Sequence, residues 1–259
     1  MTEITGQIEI LDDGTETCLV YAPFDKGLEY LTERGHTLVS LEENARLRIQ
    51  EGSEQDVSID GNWVREGVLY VPGKGKFLTK NSPVMQNPKE ATDAHGKIND
   101  FYLTGRQVEF ALEDSVELSV KSIPTNRFGE DEITTYAFGV FARQYGEFLE
   151  EAGIDSMPIY TTYLQEKPFA GQLWFGSLGC GSGLSGSSGG LNGYVRLRGV
   201  KIDAESASQR KVHFSNEPAR QIRIPISRMP PTPNLEGMSD SDFAHFLNYI
   251  QDEGGYKTR

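Results

Sequence analysis

Ser188 stands in Gly186-Ser187-Ser188-Gly189-Gly190-Leu191, a string that looks superficially like the segment around a nucleophilic serine. Such a hydroxyl attacks only when a histidine takes its proton and a carboxylate orients that histidine. The histidines are His36, His95, His213 and His245, and none stands in a local motif that would serve. A Gly/Ser-rich tract also produces such strings by accident. Gly73-Lys74-Gly75-Lys76 sets two cations beside two glycines, but it lacks the G-x-x-x-x-G-K-[ST] spacing and a following helix, so a basic turn is the simpler reading. The two cysteines, Cys18 and Cys180, are far apart and have neither disulfide-framework nor metal spacing. Glu42-Glu43 and Glu150-Glu151 fall on predicted helices, where capping and solvated faces account for them. The reading is therefore no catalytic residue, no metal site and no cofactor.

The unusual chemistry is a composition. Residues 175–200 read FGSLGCGSGLSGSSGGLNGYVRLRGV, with Leu178, Leu184 and Leu191 spaced by six and seven. The tract holds no Lys, Glu, Gln, Met or Trp. If composition were uniform, an absence of that breadth would arise about once in a few hundred such stretches. Every residue type present is encoded by a codon ending in C, the set that arises when the adenines of an AAC codon are randomised. A Gly/Ser-rich stretch is ordinarily a flexible linker. The recurring leucines and the strand-like runs at both ends point instead to an ordered surface, anchored at the leucines, with exchangeable residues between.

The chain has 259 residues, enough to bury a core unaided. A net charge of −13 argues against nucleic acid as a partner. The acidic excess lies mostly in residues 1–60. The segment 196–228 is basic, with Arg196, Arg198, Lys201, Arg210, Lys211, Arg220, Arg223 and Arg228, and would suit an anionic ligand or an acidic segment of the same chain. No apolar run is long enough for a membrane span, and MTEITGQIEI is not a secretory leader, so a soluble protein of unassigned location is expected.

The elements that must position the tract are read as follows. Residues 5–10 and 16–21 form a hairpin around Asp12-Asp13-Gly14. Phe24–Arg34 is a helix ending at Gly35, and Ser40 with Glu43 makes a capping box for a helix reaching Gly52. Val57–Ile59 and Val68–Val71 read as strands. Residues 73–99, with Pro83 and Pro88, read as a loop insertion. Gln107–Leu112 and Val116–Ser122 read as a second hairpin. Glu132–Ala152 is the longest helix, with Ile133, Ala137, Val140, Phe141, Tyr145, Phe148 and Leu149 on one face. Pro158–Leu164, Phe169–Trp174 and Val195–Ile202 read as strands, and so do Gln209–His213 and Gln221–Ile226. Ser239 or Ser241 caps a last helix. The fold class is α+β, with two main helices, short antiparallel strands and long loops with insertions; a doubly wound sheet is excluded by the lack of βαβα alternation.

Leu173-Trp174-Phe175, the Gly/Ser/Asn/Tyr-rich tract and Arg196-Leu197-Arg198-Gly199-Val200-Lys201 together resemble the C-terminal part of C-type lectin-fold domains of the formylglycine-generating-enzyme type. Among these they most resemble the variable proteins of diversity-generating retroelements, in which an error-prone reverse transcriptase rewrites adenine-templated codons. The likeness covers about 30 residues, and it departs from the family pattern in that a further stretch, 203–259, follows, as an insertion or C-terminal addition. It implies a single C-type lectin-like domain over 1–259 whose binding region is 170–200. It implies fixed scaffold at Leu173, Trp174, Leu178, Leu184, Leu191, Arg198 and Gly199. It implies variable, ligand-facing positions at Phe175, Ser177, Gly179, Gly181, Gly183, Ser185, Ser187, Ser188, Gly190, Asn192, Tyr194 and Leu197.

The expected function is non-enzymatic binding of an unknown protein or surface ligand by a hypervariable, retroelement-diversified face, in a monomer. Two other readings stay open: an enzyme, either on the formylglycine-generating scaffold or a serine hydrolase using Ser188, and a phage or surface assembly protein.

Overall fold

The computed structural model describes residues 4–11, 13–97, 100–186 and 190–201. Ser187, Ser188, the strands expected at 209–213 and 221–226, the last helix and the role of 203–259 lie outside the described residues.

The chain opens with the expected hairpin, β1 (Gly6–Ile10) and β2 (Glu16–Ala22), paired from Gly6↔Val20 to Ile10↔Glu16. Helix α1 (Phe24–Glu33) buries Phe24, Gly27 and Leu31. After the short β3 (Thr37–Leu38), α2 (Leu41–Glu51) starts at the capping box: the Ser40 side chain accepts from the Glu43 N–H, and the Glu43 carboxylate accepts from the Ser40 N–H. A single helical turn, α3 (Asp56–Ile59), leads into the long β4 (Asn62–Val71).

Strand β5 (Gly75–Thr79) turns back on β4, followed by α4 (Pro83–Gln86) and α5 (Pro88–Gly96), each with a proline in its first turn, where a missing N–H costs nothing. Next come β6 (Phe101–Tyr102), α6 (Gly105–Glu113), β7 (Ser115–Glu117) and β8 (Ser122–Pro124). Helices α7 (Glu132–Phe138) and α8 (Ala142–Glu151) precede β9 (Ser156–Tyr160), β10 (Phe169–Phe175), β11 (Leu184–Ser185) and β12 (Val195–Lys201).

The strands join in the order β1-β2-β12-β4-β10-β11-β9-β8. The last described strand thus lies inside the sheet. β12 pairs antiparallel with β2 from Val195↔Ala22 to Lys201↔Glu16, and touches β4 in parallel at Leu197↔Trp63. Strands β4 and β10 are antiparallel neighbours, with an irregularity between Gln172 and Trp174.

Successive strand residues point to opposite sides, and helices pack against both sets. One core collects Val64, Val68, Tyr70, Phe169, Leu173 and Phe175 with Leu41, Ala45 and Leu47 of α2, Phe138 of α7, and Tyr145 and Leu149 of α8. The other collects Cys18, Val20, Trp63, Ala170, Val195 and Leu197 with Phe24 and Leu31 of α1 and Ala91 of α5.

Several sequence expectations are corrected. Residues 73–99 are not an irregular loop insertion: the described part holds β5, α4 and α5. Residues 105–113 form α6, not a strand, because Thr104 and Gln107 make a second capping box. Residues 56–59 form α3, not a strand. The long helix divides at Gly139, whose φ of +54° is outside the right-handed helical region.

Candidate binding surface

The tract begins where β10 ends. Residues 184–185 return as β11, pairing antiparallel with β10 (Trp174↔Ser185, Phe175↔Leu184) and parallel with β9 (Leu184↔Ile159, Ser185↔Tyr160). The loop between is closed by backbone bonds. The Gly176 N–H donates to the Gly183 carbonyl at 2.8 Å, and the Cys180 and Ser182 N–H groups both donate to the Ser177 carbonyl, at 3.1 and 2.9 Å. Gly186 donates to the Tyr160 carbonyl at 2.8 Å, and its own carbonyl accepts from the Tyr70 hydroxyl at 2.7 Å. A Cβ at Gly186 would lie 2.5 Å from Val68 Cγ2, so the backbone is seated directly on β4. Farther on, the Leu191 carbonyl accepts from the Phe24 N–H at 2.8 Å while its side chain is fully buried.

Beneath the first loop lies Arg48 of α2, with 0% exposure. Its Nε donates to the Val57 carbonyl at 2.9 Å, and its Nη1 donates to the hydroxyls of Ser182 at 2.7 Å and Tyr145 at 3.0 Å. Tyr145 and Ser182 are also bonded to each other. The guanidinium lies 4.0 Å from the centroid of the Phe175 ring. A buried charge is tolerated only when its donors are satisfied, and here neutral oxygens and a ring face satisfy them.

A different arrangement holds β12. Arg196 donates to Asp56 and Asp60, and Arg198 donates to the same Asp56 at 2.6 Å and lies 3.6 Å from Glu9. Burial works against the charge on Arg196, but its bonds to Asp56 and Asp60 more than offset this and raise its pKa. For Arg198, burial and then the neighbouring Arg196 lower the pKa. Of the two partners considered for the basic segment, these two arginines take the acidic segment of the same chain.

The residues expected to be fixed lie inward or beneath the surface. Leu173, Leu184, Leu191 and Arg198 are buried, as is Gly199, where a Cβ would meet Leu31 Cδ2 at 2.7 Å. Leu178 and Trp174 are partly buried, and Trp174 meets Trp63 edge-on at 5.2 Å.

The positions expected to face a ligand divide. Gly179, Asn192 and Tyr194 are exposed, Tyr194 by 57%, and Ser177, Gly181 and Gly190 are half-buried. Phe175, Gly183, Ser185 and Leu197 are buried, so they are corrected to interior positions. Phe175 belongs to the first core, and Leu197 belongs to the second, packing on the bare backbone of Gly27. Both faces of the sheet being covered, alternation alone puts neither side chain in solvent. Gly183 is hemmed in by Pro158 and Tyr160, each 3.0 Å from where its Cβ would lie.

Sequence reasoning missed Arg48, Tyr145 and Ser182 as supports of the tract, and Asp56 and Asp60 as acceptors for β12. A signal for Arg48 existed: it follows Leu41 by seven residues and Ala45 by three, on the buried stripe of α2. The cysteines, both free, stand apart in the fold, Cys18 in the core and Cys180 half-buried on the tract. No helix among the described residues is long and apolar enough to cross a membrane.

No family model matches the chain, and no curated protein matches it. Among solved structures, the chain is similar to one described as "Accommodation of massive sequence variation in Nanoarchaeota by the C-type lectin fold". The two share 18% identity at a TM-score of 0.58, over 74% of this chain and 100% of the other. That likeness, together with the mixed sheet and its flanking helices, makes the fold of this chain a C-type lectin fold.

Proposed function

We propose that the chain is a non-enzymatic binding protein whose 175–200 tract is a display surface of the kind diversified by retroelements. The observation that carries this reading is a division of labour within the tract. Backbone bonds, buried leucines and Arg48 hold its course, while Gly179, Asn192 and Tyr194 face outward. Among the described residues, Asn192 and Tyr194 make no side-chain hydrogen bond. A face whose side chains change from copy to copy must be held by groups that do not change. Tyr, Ser, Gly and Asn are also the residues of adaptable paratopes. The similar solved structure is described in terms of massive sequence variation on the same fold, which supports extending that property to this chain. With few large side chains outward, this copy has few anchors for tight binding, and weak binding is expected of it.

The test is to sequence the gene from neighbouring genomes together with its surroundings. The reading expects substitutions concentrated at the exposed positions Gly179, Asn192 and Tyr194 and at the half-buried Ser177 and Gly190, with a near-identical template repeat and a reverse transcriptase gene nearby. Substitutions scattered evenly along the chain would sink it.

A further inference from the structure

We propose that Ser182, in the middle of the tract, is not a display position but the point at which Arg48 sets the shape of the 176–183 loop. Ser182 has φ +55° and is the one non-glycine residue with positive φ among the described residues. Glycine or asparagine is the ordinary occupant of such a conformation, so a serine needs a reason. Its hydroxyl supplies one. It is fully buried, accepts from Arg48 Nη1 at 2.7 Å and is bonded to Tyr145.

Arg48 has no carboxylate within bonding distance among the described residues. Its partners come from the tract (Ser182 and the Phe175 ring), the α3 turn (the Val57 carbonyl, with Asp60's at 3.4 Å) and α8 (Tyr145). Removing one acceptor from a buried, otherwise uncompensated guanidinium leaves a donor unsatisfied in the interior. Arg48 is thus a positioning residue. Recognition in this loop falls to the exposed Gly179 and the half-buried Ser177. At Gly179 an added Cβ would meet only Ser177 Oγ, at 3.8 Å.

The significance of this link for recognition rests on the display reading, but its existence is tested without a ligand. The measurement is amide hydrogen exchange at Gly176 and Cys180, with the amides of β2 and β12 as internal reference. Ser182→Gly relieves the positive φ and removes the whole hydroxymethyl side chain, so the Arg48→Met background is what separates the lost hydroxyl from the freed backbone. It should speed exchange at Gly176 and Cys180 about tenfold or more while leaving β2 and β12 unchanged. In an Arg48→Met background the same change should add little. Gly179→Ser should leave all these amides as they are. Unchanged or slower loop exchange in Ser182→Gly would mean that the backbone conformation alone governs the site, and would overturn the proposal. So would an equal effect in both backgrounds. Should Arg48→Met fail to fold, Arg48→Lys takes its place as the background, and unchanged or slower exchange in Ser182→Gly still overturns the proposal by itself. Natural copies that keep the fold but vary at position 182 would overturn this link and spare the display reading; substitutions scattered along the chain would do the reverse.

Discussion

The two ends of the tract are held in different ways. The first, 175–186, is fixed atom by atom: closed by Gly176 and Gly183, seated on β4 at Gly186, and bonded from below by Arg48. The second, as far as it is described at 190–194, hangs on one buried leucine and one backbone bond to Phe24. The first end turns most of its positions inward, and the second turns Asn192 and Tyr194 out. Rigidity and display are thus apportioned along one segment, and the contrast makes definite demands.

The sharpest blow to the fixed end is Phe175→Ala. It empties a fully buried ring site and strips a face from the Arg48 cation, so about 3–5 kcal/mol of stability should be lost in urea denaturation. A loss near zero would mean the first end is not built into the core.

A second demand uses a group outside the tract as reference. Glu66 of β4 is buried, accepts from the Leu41 N–H at 3.0 Å, and has its pKa pushed up to about 7, chiefly by burial. The folded-state pKa lies above the unfolded one. The associated stability is therefore full below about pH 4.5 and is lost as pH rises through about 7, on the order of 3 kcal/mol. Glu66→Gln should flatten this slope, whereas Asn192→Ala should leave it intact; a slope altered by Asn192→Ala would tie the outward positions to the central strand.

Gly186→Ala forces a methyl group against Val68 and should cost about 1–3 kcal/mol, read as a lowered Tm. Smallest of all, Gly179→Ala, Asn192→Ala and Tyr194→Ala should each stay within about 0.5 kcal/mol of the parent. A larger loss at Asn192 or Tyr194 would erase the contrast between the two ends.

Much of the scaffold was legible because its signals are local. Ser40 with Glu43 announced α2, and alternation around Gly14 announced the first hairpin. Gln107–Leu112 reads as one arm of a hairpin, yet the box of Thr104 and Gln107 starts a helix there. Val57 and Ile59 likewise read as a strand, but Asp56 and Asp60 are held by arginines of β12, more than a hundred residues away in sequence. The tract's extent and its buried leucines could be read from spacing. Which of its positions face out could not be, because that depends on both faces of the sheet being covered and on one arginine from α2. Phe175 and Leu197 were misassigned for the first reason, and Ser182 was passed over for the second.

Strand β12 completes the middle of the sheet, between β2 and β4, and comes after the tract in the chain. As the ribosome delivers the chain, the amino-terminal hairpin must wait for its inner neighbour until the tract has been made, a long-range pairing of the kind that folds slowly. A copy whose tract could not bring β12 home would leave two strand edges bare at the centre of the molecule. Assembly itself would then cull unworkable copies before any of them met a target.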